Sequence, residues 1–134
     1  MTILVGALNL KVSQLGRYVL SPGDAHLLKI VDQATGQDLG SAIVQTAGQT
    51  PDTFVFASLA NPVILNKNSF YYIVSEETSG GDSWFSSDTS VTTEADAIVP
   101  SAVFNDPTAD GAYHAAGSVN NSYGPVNFIY VPTP

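Results

Sequence analysis

The chain has 134 residues, the size of one ordinary domain and enough to bury roughly two-thirds of its unfolded surface without covalent staples. Apolar residues make up 44% and charged residues 12%, about half the common charged share, so the polar surface has to be built from Ser, Thr, Asn, Gln and Gly. Lys11, Arg17, Lys29 and Lys67 stand against twelve carboxylates, and the net charge of −8 opposes both nucleic acid and an anionic membrane as partners; without cysteine there is no disulfide framework, thiolate nucleophile or cysteine zinc site.

Short alternating or apolar runs recur about every ten residues, separated by Gly, Pro, Asn and Asp, and 3.6-residue periodicity is absent. The pattern predicts an all-β fold, a two-sheet antiparallel β-sandwich of jelly-roll-like type formed by residues 1–134 as one domain, with long loops in the C-terminal third. Thr2–Leu8 is too short to span a membrane and reads as a first strand. Leu8, Leu10 and Val12 then alternate with Asn9, Lys11 and Ser13, one set facing inward. Further strands are expected at Gly16–Leu20, His26–Asp32, Ser41–Gln45, Thr53–Leu59, Pro62–Leu65, Phe70–Ser75, Ser83–Ser86, Ser101–Phe104 and Val126–Val131. The connections Ser21-Pro22-Gly23-Asp24, Ala34-Thr35-Gly36-Gln37, Asn66-Lys67-Asn68 and Ser79-Gly80-Gly81-Asp82 supply residues that tolerate turn dihedrals. Thr93–Ile98, with Thr93 as cap, is the one place where a helical turn is expected. The closing Val131-Pro132-Thr133-Pro134 has the composition with which an interdomain linker begins.

Catalytic patterns are weak. His26 and His114 are far apart and sit in neither an HExxH nor a GxSxG motif, so no catalytic residue is assigned and the domain is expected not to be an enzyme. Glycoside hydrolysis needs two acids facing each other across roughly 5 to 9.5 Å. Glu76 and Glu77 are adjacent and, at the end of a strand, point to opposite faces. Either one with Asp82 is easier, because Thr78-Ser79-Gly80-Gly81 forms a tight connection between them. The same residues, Glu76 and Asp82, are candidate ligands for a structural calcium ion, a hard cation that collects carboxylate and carbonyl oxygens. Asn105-Asp106-Pro107-Thr108-Ala109-Asp110-Gly111 is a second acidic loop. No other cofactor is implied.

Aromatic residues carry more information. Those of Phe70-Tyr71-Tyr72 and of Val126–Tyr130 lie on strands and read first as core. Trp84, Tyr113 and Tyr123 are flanked by turn residues, which makes burial harder, and an exposed indole or phenol beside Asn, Gln, Asp and Arg suits the flat C–H faces and hydroxyls of a pyranose. Arg17 and Tyr18, adjacent on one strand, must face opposite ways, so one of them points outward. The candidate ligand contacts are Trp84, Tyr113, Tyr123, Tyr18, Arg17, Asp82, His114 and Asn121.

The strings Leu15-Gly16-Arg17-Tyr18-Val19, His26-Leu27-Leu28-Lys29-Ile30-Val31-Asp32 with Thr35-Gly36, Tyr71-Tyr72-Ile73-Val74-Ser75-Glu76-Glu77, Gly80-Gly81-Asp82-Ser83-Trp84 and Tyr123-Gly124-Pro125-Val126-Asn127-Phe128 together resemble bacterial β-sandwich accessory modules of secreted glycoside hydrolases. Within that set the chain is similar, from Leu10 to Val131, to carbohydrate-binding modules attached to soil-bacterial endoglucanases. The resemblance implies a secreted, extracellular module that binds cellulose-type, mixed-linkage or xyloglucan chains on an aromatic surface and keeps a tethered hydrolase at its polymer. It carries Trp84 over most directly, through Gly80-Gly81-Asp82-Ser83-Trp84. The contrasting expectation, from composition alone, is an adhesin-like spacer that binds no sugar.

Overall fold

The computed structural model describes residues 1–85, 89–123 and 126–134. Ser86, the end of the expected strand Ser83–Ser86, and Gly124-Pro125 of the Tyr123 string lie outside them. The fold is all-β, with two antiparallel sheets packed face to face. Its strands are β1 (Thr2–Val5), β2 (Asn9–Val19), β3 (Ala25–Asp32), β4 (Asp38–Gln45), β5 (Thr53–Leu65), β6 (Phe70–Ser75), β7 (Thr89–Ser90), β8 (Ala97–Ile98), β9 (Ala102–Asn105), β10 (Tyr113–Ala116), β11 (Asn121–Ser122) and β12 (Val126–Thr133). One sheet has the order β4-β3-β6-β1-β8 and the other β12-β2-β5; β9 with β10 and β7 with β11 form two small antiparallel pairs.

β2 explains why its sequence reads as two strands. Leu10 and Val12 face inward, and then Ser13 is an extra residue against β12, with Val12 opposite Tyr130 and Gln14 opposite Ile129, after which Leu15, Arg17 and Val19 face inward instead; the register against β5 breaks at the same place. A bulge adds one residue and reverses the side-chain phase without ending the strand. The matching irregularity on β5 falls between Ser58 and Val63, and it is where Pro62 sits, so the missing amide leaves no gap in a regular ladder. β5 is therefore continuous from Thr53 to Leu65.

The core lies between the sheets. Ile3, Val5, Leu28, Ile30, Val44 and Ile73 come from one side, and Leu10, Val12, Leu15, Leu65 and Phe128 from the other. A second, smaller cluster sits on the outer face of the five-stranded sheet, where Val31 and Tyr72 meet Val103, with Val74 and Tyr113 packed against them. The β9–β10 hairpin thus covers part of that outer face and leaves the neighbouring part open.

Two expectations are corrected. Thr93–Ile98 forms no helical turn: Glu94 bridges Ala97, and Ala97–Ile98 is β8, pairing with Val5 and Leu4. A free edge on β1 wins over local capping propensity. Ser83–Phe85 is irregular rather than extended in a sheet, because Asp82 is drawn into the interior as described below. The segment from Thr89 to Tyr123 holds two- and four-residue strands joined by connections of up to seven residues.

Candidate functional site

At one end of the sandwich the apolar core gives way to an ionic cluster. Arg17, only 1% exposed, points inward from β2. Its Nε and Nη2 donate to the two oxygens of Glu77 at 2.9 and 2.8 Å, Nη2 reaches Asp82 Oδ1 at 3.3 Å, and Nη1 donates to the carbonyl of Tyr18 at 3.1 Å. His26 of β3 lies across from it, with Nδ1 3.3 Å from Glu77 Oε2 and Nε2 2.8 Å from Asp82 Oδ1. Nε2 lies at that distance from Asp82 without the alignment of a hydrogen bond. The Thr46 hydroxyl stands 2.7 Å from the Asp24 carbonyl and 2.8 Å from Asp82 Oδ2, so one proton serves two acceptors. Burial pushes the Asp82 carboxyl up, but the contacts from His26 and Thr46 and the charges of Arg17 and His26 outweigh it and hold the group below the ordinary carboxylate value.

Alternation along the chain produces this cluster. Glu77 turns inward at the end of β6, while Glu76 turns outward and is exposed. Gly80 has φ +81°, closed to most L-residues, and a Cβ on Gly81 would meet Asp24 Oδ2 at 3.0 Å and the Thr78 carbonyl at 3.1 Å. Gly80-Gly81 is thus what brings Asp82 back under the sheet end. The expected approach of one glutamate to Asp82 occurs, with Glu77 rather than Glu76 as partner. The calcium pair Glu76 and Asp82 is consequently not assembled. His26, Glu77 and Asp82 do place one ligand atom each within 4.8 Å of one another, but the Arg17 guanidinium already supplies the positive charge there. The acidic loop is likewise self-satisfied: Asp106 accepts from Thr108 N and Oγ1, and Asp110 from Ala112 N.

Beside this cluster opens a cleft of about 800 Å³, lined by outer-face residues of the five-stranded sheet and also by Met1, Ile73 and Val126 of the inter-sheet core. Its floor is Leu27, Lys29, Val74 and Glu76; one wall is the β9–β10 hairpin with Phe104, Asn105 and Tyr113; Trp84 and Tyr123 complete it. Trp84 is 37% exposed and belongs to no core cluster. Tyr113 is half-buried, its ring centroid 5.0 Å from that of Tyr72, so it is both part of the small cluster and part of the wall. Burial foremost, and then the charge of Asp38, raise its phenol pKa, leaving it a protonated donor at neutral pH. Lys29 is tied to Asp38 at 2.7 Å.

The structure therefore gathers three of the candidate ligand residues, Trp84, Tyr113 and Tyr123, and separates the rest. His114 is exposed next to the wall, its ring stacked 5.4 Å from Phe104 and its Nε2 2.9 Å from Asp110 Oδ2. Asn121 sits on β11 opposite Ser90 and donates to Ser118 Oγ, away from the cleft. Tyr18 is the outward member of its pair with Arg17; it meets Phe54 at 5.3 Å and Phe85 at 6.1 Å beside a second groove of about 470 Å³. Arg17 and Asp82, placed in the list of ligand contacts by sequence, face the interior. Phe104 also lines the cleft and is not among the residues that the sequence singles out. Its signal was the alternation of β9, which buries Val103 and turns Phe104 outward at 45% exposure. No protein-family model, curated protein or solved structure matches the chain.

Proposed function

We propose that the domain is a non-catalytic glycan-binding module whose ligand is a neutral polysaccharide of the β-glucan class, held in the cleft of Trp84, Tyr113 and Tyr123. The observation that carries this reading is that these three turn-flanked aromatics, spread over 40 positions of sequence, line one concavity together with a fourth ring, Phe104. Concave sites of roughly 300–1,000 Å³ lined by aromatics with a few polar groups are where small ligands and chain segments bind. Indole and phenol faces stack on the C–H faces of pyranose rings, and Asn105, Glu76, Lys29 and the Tyr113 hydroxyl offer partners for hydroxyl groups. A low charge density favours an uncharged ligand. In the context that the sequence resemblance implies, a secreted bacterial glycoside hydrolase, such a module acts by proximity, raising the local concentration of a tethered enzyme on its polymer.

Calorimetric titration with cello-oligosaccharides, mixed-linkage glucan and xyloglucan tests it. At least one of these is expected to bind, and Trp84→Ala is expected to weaken that binding about 30-fold, the roughly 2 kcal/mol of a central aromatic anchor. Because Trp84 lies outside the core, its replacement should leave the melting transition cooperative and nearly unmoved. Absence of binding to all three glycans, or equal binding by the variant, would overturn the proposal and favour the spacer.

A further inference from the structure

We infer that Asp82 is a positioning residue for Trp84: the buried ionic cluster is the anchor that holds the cleft's indole in place. The consequence for ligand affinity rests on the glycan-binding reading, whereas the consequence for the indole itself does not.

Trp84 makes no hydrogen bond and no ring–ring contact among the described residues. An exposed side chain with no tether of its own keeps a fixed orientation only if the backbone beneath it is fixed. Here that backbone is pinned from several directions. The Asp82 carboxylate meets Arg17 of β2 at 3.3 Å, His26 of β3 at 2.8 Å and Thr46 after β4 at 2.8 Å. Asp82 N donates to Asp24 Oδ2 at 3.3 Å, Ser83 N donates to Ser21 Oγ at 2.9 Å, and the Ser83 carbonyl accepts from Arg17 Nη2 at 3.5 Å. Packing closes in behind as well, since a Cβ on Gly23 would stand 2.9 Å from that of Asp82. Trp84 follows Ser83 directly along the chain. Asp82, with 2% of its side chain exposed, touches no ligand in the cleft and acts on binding only through this tether. A preformed platform spares the ligand the cost of ordering it.

Trp84 is the chain's one tryptophan, so its fluorescence reports on this residue alone. Acrylamide quenching is measured for the wild type, Asp82→Asn, Thr46→Val and, as a control of general destabilisation, Leu65→Ala, a core residue that pairs with Leu10 at the far end of β2 from Arg17. Asp82→Asn and Thr46→Val should keep the far-UV spectrum of the wild type, while the quenching constant rises about two-fold or more in the first and less in the second; affinity for a bound cello-oligosaccharide should fall in parallel, about 5- to 10-fold for Asp82→Asn, as preorganisation is lost. Leu65→Ala should lower the melting temperature and leave quenching unchanged. A folded Asp82→Asn protein that quenches like the wild type would overturn the inference; if that variant does not fold, unchanged quenching in Thr46→Val overturns it instead. Raised quenching in a protein whose wild type binds no glucan supports the anchoring and removes the glycan reading alone.

Discussion

Replacing Arg17 with methionine isolates the energetic weight of the ionic cluster. Methionine restores most of the alkyl packing, so the effect measured is chiefly the loss of charge and hydrogen bonds. Without the guanidinium, Glu77 and Asp82, whose side chains are 11% and 2% exposed, lose the arginine charge they share and keep only the His26 ring beside them. Breaking a buried ion pair by removing one partner costs about 3–5 kcal/mol, because the surviving charge stays desolvated. Ser75 Oγ still donates to Glu77 Oε1 at 2.7 Å and Thr46 still faces Asp82, which places the expected loss near the lower end, about 3 kcal/mol. For a domain of this size that is a large part of a total near 5–15 kcal/mol, and it corresponds to a fall of roughly 10 °C in melting temperature. Urea unfolding at pH 7, followed by far-UV circular dichroism, should show the midpoint moved with the slope unchanged. The triple variant Arg17→Met, Glu77→Gln, Asp82→Asn, which removes both orphaned charges, should recover a good part of the loss. A loss below about 1 kcal/mol for Arg17→Met, the value of an exposed pair, would refute the claim that this cluster is a desolvated plug.

Acid should act on the same cluster. The folded Asp82 pKa is depressed, so the stability it contributes is complete above about pH 5 and is lost as pH falls through about 4, where the unfolded carboxylate titrates, and on through the lower folded value. Urea midpoints measured between pH 7 and pH 2 should therefore fall less steeply in Asp82→Asn than in the wild type, and parallel curves would contradict the assignment. Since Arg17 supplies the cation of the cluster, the melting temperature should be the same within about 1 °C in chelator and in millimolar calcium, whereas a site filled to a hundred times its dissociation constant would add about 2.7 kcal/mol.

Local chemistry was what the sequence made legible. Strand β6 runs from Phe70 to Ser75 as its pattern predicts, and the Thr35-Gly36 turn forms with Asp32 Oδ1 accepting from Ala34 N and Thr35 N. Alternation correctly sends Arg17 and Tyr18, and Glu76 and Glu77, to opposite faces. Alternation does not say which member faces in. Arg17 goes inward because Glu77, Asp82 and His26 wait there, contacts between residues 60 or more positions apart in the case of the two acids, which no local window contains. The bulge of β2 was equally hidden, since one extra residue looks like the end of a strand. Trp84, Tyr113 and Tyr123 could be singled out by their turn-residue neighbours, but that they share a cleft depends on the β9–β10 hairpin folding over the outer face. Tyr18 has the same kind of sequence signal and ends up beside a different groove.

The segment from Glu76 to Trp84 bears on two surfaces at once, and this also weighs against hydrolysis in the cleft. Two-carboxylate chemistry needs a pair of acids free to exchange protons with a sugar lying between them. Of the acids lining the cleft among the described residues, Glu77 has Oε1 engaged by Arg17 Nε and Ser75 Oγ and Oε2 by Arg17 Nη2. Freeing it for chemistry would dismantle the plug. That leaves Glu76 with no second available carboxylate across from it among the described residues that line the cleft. A single exposed acid beside stacked aromatics can accept a hydrogen bond from a sugar hydroxyl, which is a binding role. The alternation that sends Glu77 to the core and Glu76 to the cleft thus fits the binding role proposed for the cleft.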